Sequence, residues 1–147
     1  MDIKKLALNA QAYNDRIIFF QAKAVKESER LLVSLNRAQL LLSKTSKNTA
    51  LMNSLTGSTK LSPAYANRTG KTSPNLLLSG EFQRDMFLET NENDGTYFID
   101  SYDEKATKLV GMYSLDIFGL TTSNKQPATI EASKRMFDTY KGIVWRI

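Results

Sequence analysis

The sequence predicts an α+β chain with a long N-terminal helix, a polar connector, a small antiparallel β-sheet built on a hairpin, and C-terminal helices. Three observations predict it. Residues 2–42 hold neither Gly nor Pro and repeat their apolar positions at helical spacing. Residues 43–73 are dense in Ser, Thr, Asn and Lys. Two β-compatible segments, 86–90 and 96–101, flank Asn91-Glu92-Asn93-Asp94-Gly95, whose residue types tolerate the positive φ values a short hairpin loop needs.

Taken in order, Ile3, Leu6, Ala10, Tyr13, Ile17, Phe20 and Ala24 follow a 3–4–3–4 rhythm. The stripe then drifts through Val25, Leu32, Leu35 and Leu42 with Leu31 beside it, as a straight helix does against a seven-residue frame. A continuous helix of this length would reach about 60 Å, more than a domain of this size covers. The expectation is therefore a break near residues 26–30 into an antiparallel pair, or packing of part of the helix on another chain. The heptad phase fails at Glu27 and Ser34, which disfavours a self-standing coiled coil.

The connector, 43–75, has one small apolar island at Ala50-Leu51-Met52 and Leu55. Its composition cannot build a core alone, so it is expected to be disordered or ordered by partners. The rest, 76–147, reads as a compact α+β body. In it, 103–114 carries Ala106, Leu109, Val110 and Tyr113 at helical spacing, with Ser101 or Asp103 as cap. A compact apolar turn follows at Asp116-Ile117-Phe118-Gly119-Leu120, then a capping cluster Thr121-Thr122-Ser123-Asn124. Pro127 suits the first turn of a last helix over about 128–145.

At 147 residues the chain has the length of one domain. It has no Cys and no His, which excludes thiolate nucleophiles, disulfides, His-based triads and the usual transition-metal ligands. No run approaches the roughly 20 apolar residues of a membrane span, and no membrane partner is expected. No cofactor or metal is expected, and an enzyme is the weakest reading. Glu81, Asp85 and Glu89 at i, i+4, i+8 would share a face if helical, as a solvated face sooner than an acid/base pair. Gly70-Lys71-Thr72 has the tail of a phosphate loop, but Tyr65 stands where that loop needs Gly.

Charge is segregated. Residues 30–80 hold seven basic side chains and no acidic one, whereas 81–116 hold nine acidic against three basic. The basic set, Arg30, Arg37, Lys44, Lys47, Lys60, Arg68 and Lys71, marks an interaction surface, and Trp145 in the terminal Trp145-Arg146-Ile147 is a candidate partner anchor. With Tyr65 among it, the basic region also suits nonspecific contact with DNA, the alternative reading being a basic nucleic-acid-binding accessory protein.

The run Leu76-Leu77-Leu78-Ser79-Gly80-Glu81-Phe82 before the hairpin, and Asp116-Ile117-Phe118-Gly119-Leu120-Thr121 after it, resemble small bacteriophage virion-morphogenesis proteins of the tail-completion and head–tail connector kind, from phages of Bacteroidetes-type hosts. The long N-terminal helix fits that layout. The family's His-x-x-Gly element has no counterpart here. The resemblance covers about a third of the chain. It implies a non-enzymatic virion protein, made in the host cytoplasm and present as a ring of copies in the neck or tail. Its partners would be its own copies and portal, connector or tail proteins.

Overall fold

A computed structural model of the chain describes residues 2–77 and 79–145. Leu78 of the apolar run before the hairpin, and Arg146-Ile147 of the tail, lie outside them. The class is the predicted α+β: helices around a two-stranded antiparallel sheet.

The N-terminal region is neither one helix nor an antiparallel pair. It is three helices in succession, α1 (Ile3–Asn14), α2 (Ile17–Glu27) and α3 (Glu29–Leu41). Asp2 opens α1, its carboxylate accepting from the Lys4 and Lys5 N–H groups. At Arg16 the backbone leaves the helical region (φ −121°, ψ 21°). An unbroken helix would set Tyr13 and Phe20 about 10 Å apart along its axis. The break lets their rings stack, centroids 4.7 Å apart and 6° from parallel, with the Arg16 guanidinium over Phe19. The second break is a kink at Ser28, whose N–H still bonds back to Ala24 and Val25 while its C=O receives Leu31 and Leu32.

What covers this arm is the last helix, α7 (Thr122–Val144), running antiparallel to it. Asn124 reaches the Leu35 C=O, the Tyr13 hydroxyl reaches the Met136 C=O, and Asn9 reaches the Val144 C=O. α7 starts earlier than Pro127 suggests, because Thr121 caps it through the Asn124 N–H. Pro127 therefore lies inside the helix, where the bond its N–H would make is missing.

The hairpin forms where its turn residues place it. β1 (Met86–Thr90) pairs with β2 (Tyr97–Ser101) in the register Met86↔Ser101 to Thr90↔Tyr97. Asn91 N–H bonds to the Thr96 C=O, Asp94 accepts from Thr96, and Gly95 takes φ 72° against the side chains of Ile18 and Gln21. Before β1 comes a single turn, α5 (Glu81–Arg84), so Glu81, Asp85 and Glu89 share no helix face. After β2, α6 (Ala106–Tyr113) leads into a 3-10 turn at Leu115–Ile117. Asp103 holds the Lys105 N–H at the entry to α6.

Residues 43–75 are ordered by their own chain. Leu51 is fully buried, the Ser46 N–H bonds to the Asp116 C=O, and Ser54 bonds to the C=O groups of Met112 and Gly111. They carry a helix of their own, α4 (Pro63–Thr69), capped by Ser62 and ended by Gly70 in the left-handed region. Gly70 is thus a helix cap, with Lys71 and Thr72 in the loop after it, and no phosphate loop forms there.

Two apolar clusters result. The larger joins Leu32, Val33 and Leu40 of α3 to Leu51, Phe82, Leu88, Ile99, Ile117 and Leu120. The smaller joins Tyr13 and Phe20 to Val144. The larger thus draws on the arm, the connector and the rest of the chain alike.

Polar side chains of α2 and α3 fix the registers. Gln39, buried, donates to the Gly119 C=O (2.7 Å) and accepts from the Thr121 N–H (3.1 Å) and from Asn124 Nδ2 (3.2 Å). Asn36, fully buried, donates to the Ile117 C=O. On the sheet side, Glu29 accepts from the Leu88 N–H (2.8 Å) while Lys26 donates to the Leu88 C=O and pairs with Glu29 (3.0 Å).

Replacing Gln39 by Leu strands the Gly119 C=O and the Thr121 N–H, and is expected to lower the unfolding free energy by about 1–3 kcal/mol. Gln126→Leu, at an exposed position, is expected to change it by less than about 0.5 kcal/mol. Urea titration of both variants measures the difference.

Burial raises the Glu29 carboxyl's pKa, but the Leu88 N–H and Lys26 outweigh it and hold the group below its ordinary range. A lowered folded pKa contributes stability that is present above the unfolded value, about 4.3, and is lost as pH falls through the folded one. Glu29→Gln keeps an acceptor for Leu88 without the titration. The stability gap between wild type and this variant should therefore be wide at pH 6 and narrow at pH 3, as read by denaturant unfolding at both.

Candidate interaction surfaces

The fold disperses the seven basic residues that the sequence singles out. Arg37 is structural: its guanidinium donates to the C=O groups of Arg84 (2.8 Å) and Met86 (3.4 Å), tying α3 to the start of β1. Lys44 is half-buried and sits in a short bridge with Ala50. Lys47 pairs with Asp116 (2.9 Å). Arg30 is exposed on α3, and Arg68 on α4 lies over the Tyr65 ring at 5.0 Å.

Only Lys60 and Lys71 come together. They line a groove of about 530 Å³ between residues 53–82 and α6, with Tyr65, Tyr113, Lys105 and Lys108. Two of its four lysines are engaged: Lys71 donates to the Leu77 C=O, and Lys105 pairs with Glu81 (3.1 Å). The Ser79 hydroxyl and then Lys105 hold the Glu81 carboxyl below the usual range. Burial pushes the Tyr113 phenol up, against a hydrogen bond to Asn53. The part played by Lys105 and Lys108 was not legible, because they belong to the acidic half of the sequence and join the groove only through the fold.

A second surface is the outer face of α7. Ile130 and Phe137 sit seven residues apart on one side of the helix and are 63% and 58% exposed. Lys134 and Lys141 share that side, with the Lys141 ammonium 4.7 Å from the Phe137 ring centre. Trp145, half exposed, follows the helix end, and Ile3 of α1 is exposed.

A third is the sheet's second edge. β2 lines a groove of about 890 Å³ together with Leu115, Phe118 and Leu120. Among the described residues no group of three or more His, Cys, Asp and Glu could hold a metal ion, and no helix is long and apolar enough to cross a membrane.

No protein-family model, no curated protein and no solved structure matches this chain.

Arg37→Met strands two backbone carbonyls and should cost about 1–3 kcal/mol of stability. Arg30→Met should stay within about 0.5 kcal/mol. Thermal and urea unfolding of the pair will separate structural from surface cations.

Proposed function

We propose that the chain is a non-enzymatic structural component of a phage virion, a neck or tail connector or tail-completion protein, that assembles as a ring through protein–protein contacts. In this reading it is made in the host cytoplasm and meets copies of itself and portal, connector or tail proteins. The observation that carries the assembly reading is the outer face of α7, where Ile130 and Phe137 are each more than half exposed beside Lys134 and Lys141. Large apolar side chains grouped on one helix face, with aromatic and cationic neighbours, suit a protein interface. The virion placement is supported by the sequence resemblance around Leu76 to Phe82 and Asp116 to Thr121.

Charge supports the geometry of a ring. On the α7 face Lys134 has no ion-pair partner among the described residues, whereas Lys141 pairs with Asp138 (3.0 Å), and the hairpin loop carries Glu92 and Asp94. Copies joining unlike surfaces of opposite charge form heterologous contacts, which close into a ring when the rotation allows.

The second reading, nonspecific DNA contact, is favoured by the groove that gathers Lys60, Lys71, Lys105 and Lys108 around Tyr65. It predicts affinity for DNA that falls steeply with salt and no self-assembly.

Mass photometry and light scattering across a salt series test both. The assembly reading expects an oligomer that dissociates as salt rises, and that Ile130→Ser with Phe137→Ser abolishes without loss of fold. A monomer at low salt and high concentration sinks it, and steep salt-dependent binding of a DNA duplex by that monomer would establish the second reading instead.

A further inference from the structure

The two edges of the sheet are treated differently. In the β1–β2 ladder the bonded pairs run through Asn91–Thr96 at one end and Tyr102–Asp85 at the other. Alternation then places Phe98 and Asp100 in bonded pairs and turns the N–H and C=O groups of Tyr97 and Ile99 away from β1. Along β1 the outward groups nearest the helices are occupied, the Leu88 N–H by Glu29, the Leu88 C=O by Lys26 and the Met86 C=O by Arg37, and only those of Thr90 at the hairpin end and the Met86 N–H have no partner among the described residues. Those of Tyr97 and Ile99 have no hydrogen-bond partner among the described residues.

Tyr97 and Ile99 of this open edge line the 890 Å³ groove together with Leu115 and Phe118. Three carboxylates line the same groove, Asp100, Asp103 and Glu104, and none has an ion-pair partner among the described residues. The second carboxylate oxygen of Asp103 is buried with no hydrogen bond at all. The cations on the rim are Lys125 and Lys47, and Lys47 is taken by Asp116.

The geometry points to β-strand addition: the groove takes an extended segment of a partner protein, paired along Tyr97 and Ile99, with Lys or Arg side chains meeting Asp100 and Glu104. Backbone bonds would supply affinity, and alternate side chains specificity. About five residues of strand match the length of β2. Charge selects the occupant. Edge-to-edge pairing of two copies would set these carboxylates against their own counterparts, so a second copy is disfavoured and a basic segment favoured. The inference rests on the reading of the chain as a protein–protein assembly module and names the chemistry of one partner.

The probe is a synthetic acetylated heptapeptide of alternating Val and Lys, titrated by fluorescence anisotropy against the full chain at fixed salt. Saturable one-to-one binding is expected. A Glu-for-Lys version, and a version N-methylated at every second residue, are each expected to bind at least tenfold more weakly, about 1.4 kcal/mol. Tyr97→Pro removes an outward N–H without touching the β1 ladder and should produce a similar loss. Asp100→Asn with Glu104→Gln should weaken the Lys peptide several-fold while leaving the fold intact. Should Tyr97→Pro fail to fold, the N-methylated peptide on the wild-type chain tests the same backbone bonds. No binding of the Lys peptide, or equal binding of its N-methylated form, overturns the proposal. So does a wild-type dimer that Tyr97→Pro abolishes, since the edge would then belong to a second copy. Failure of the peptide on a chain that still forms its salt-sensitive oligomer overturns strand addition alone. Specific peptide binding by a strictly monomeric chain supports it and removes the ring.

Discussion

The polar side chains of α3, together with Lys26 just before it, set the position of nearly everything else. Gln39 joins three groups from three places: the carbonyl at Gly119, the amide at Thr121 and the side chain of Asn124. Asn36 adds the carbonyl at Ile117 one turn earlier. A buried amide leaves little freedom, because each unmade bond carries the full desolvation penalty of its group. The turn between α6 and α7 is therefore held where α7 must begin, and Thr121 is placed to cap it. The opposite flank of the same region holds β1 through Lys26, Glu29 and Arg37. One helix thus registers both the sheet and the long antiparallel helix.

That arrangement explains the two apolar clusters. Around α3 the chain is thick enough to enclose Leu40, Leu51, Leu88 and Ile117 completely. Beyond the kink at Ser28 the chain is thinner, α1, α2 and α7 with the hairpin against α2, and the large side chains buried there are Tyr13, Phe20 and Val144. A bundle of so few helices cannot cover its own outer faces, which leaves Ile130, Phe137 and Ile3 in solvent. The exposed apolar side chains of α1 and α7 are a consequence of that architecture.

How much of this was legible depended on whether the signal was local. The hairpin was readable to within a residue, since Asn91 to Gly95 specify their own turn and Met86, Leu88, Ile99 and Ser101 alternate. The break at Arg16 was not, because no Gly or Pro marks it and its gain, the Tyr13–Phe20 stack, exists only once the chain bends. Pro127 misplaced the start of α7, since its local preference for a first turn yields to the cap that tertiary bonds put at Thr121. Residues 43–75 read as a connector because composition averages over them, whereas one fully buried residue, Leu51, and a few backbone bonds suffice to anchor them. Of the seven basic positions, Arg37 and Lys47 spend their charge on the fold, and two lysines from the acidic half of the sequence complete the groove lined by Lys60 and Lys71.

The open edge of β2 was half legible. Two strands with no third in the sequence must leave two edges, and an unguarded edge invites pairing with other chains. Which edge is guarded could not be read, because the guards, Lys26, Glu29 and Arg37, lie about 50 to 60 residues from the groups they cover. Side chains that arrive from α2 and α3 can reach only the strand packed on those helices, and that strand is β1. The free edge is then necessarily β2, on the side where Asp100, Asp103 and Glu104 gather. Acidic side chains beside an open strand repel copies of themselves and attract basic segments, so the feature that guards this edge against self-pairing also sets the charge of whatever does pair with it.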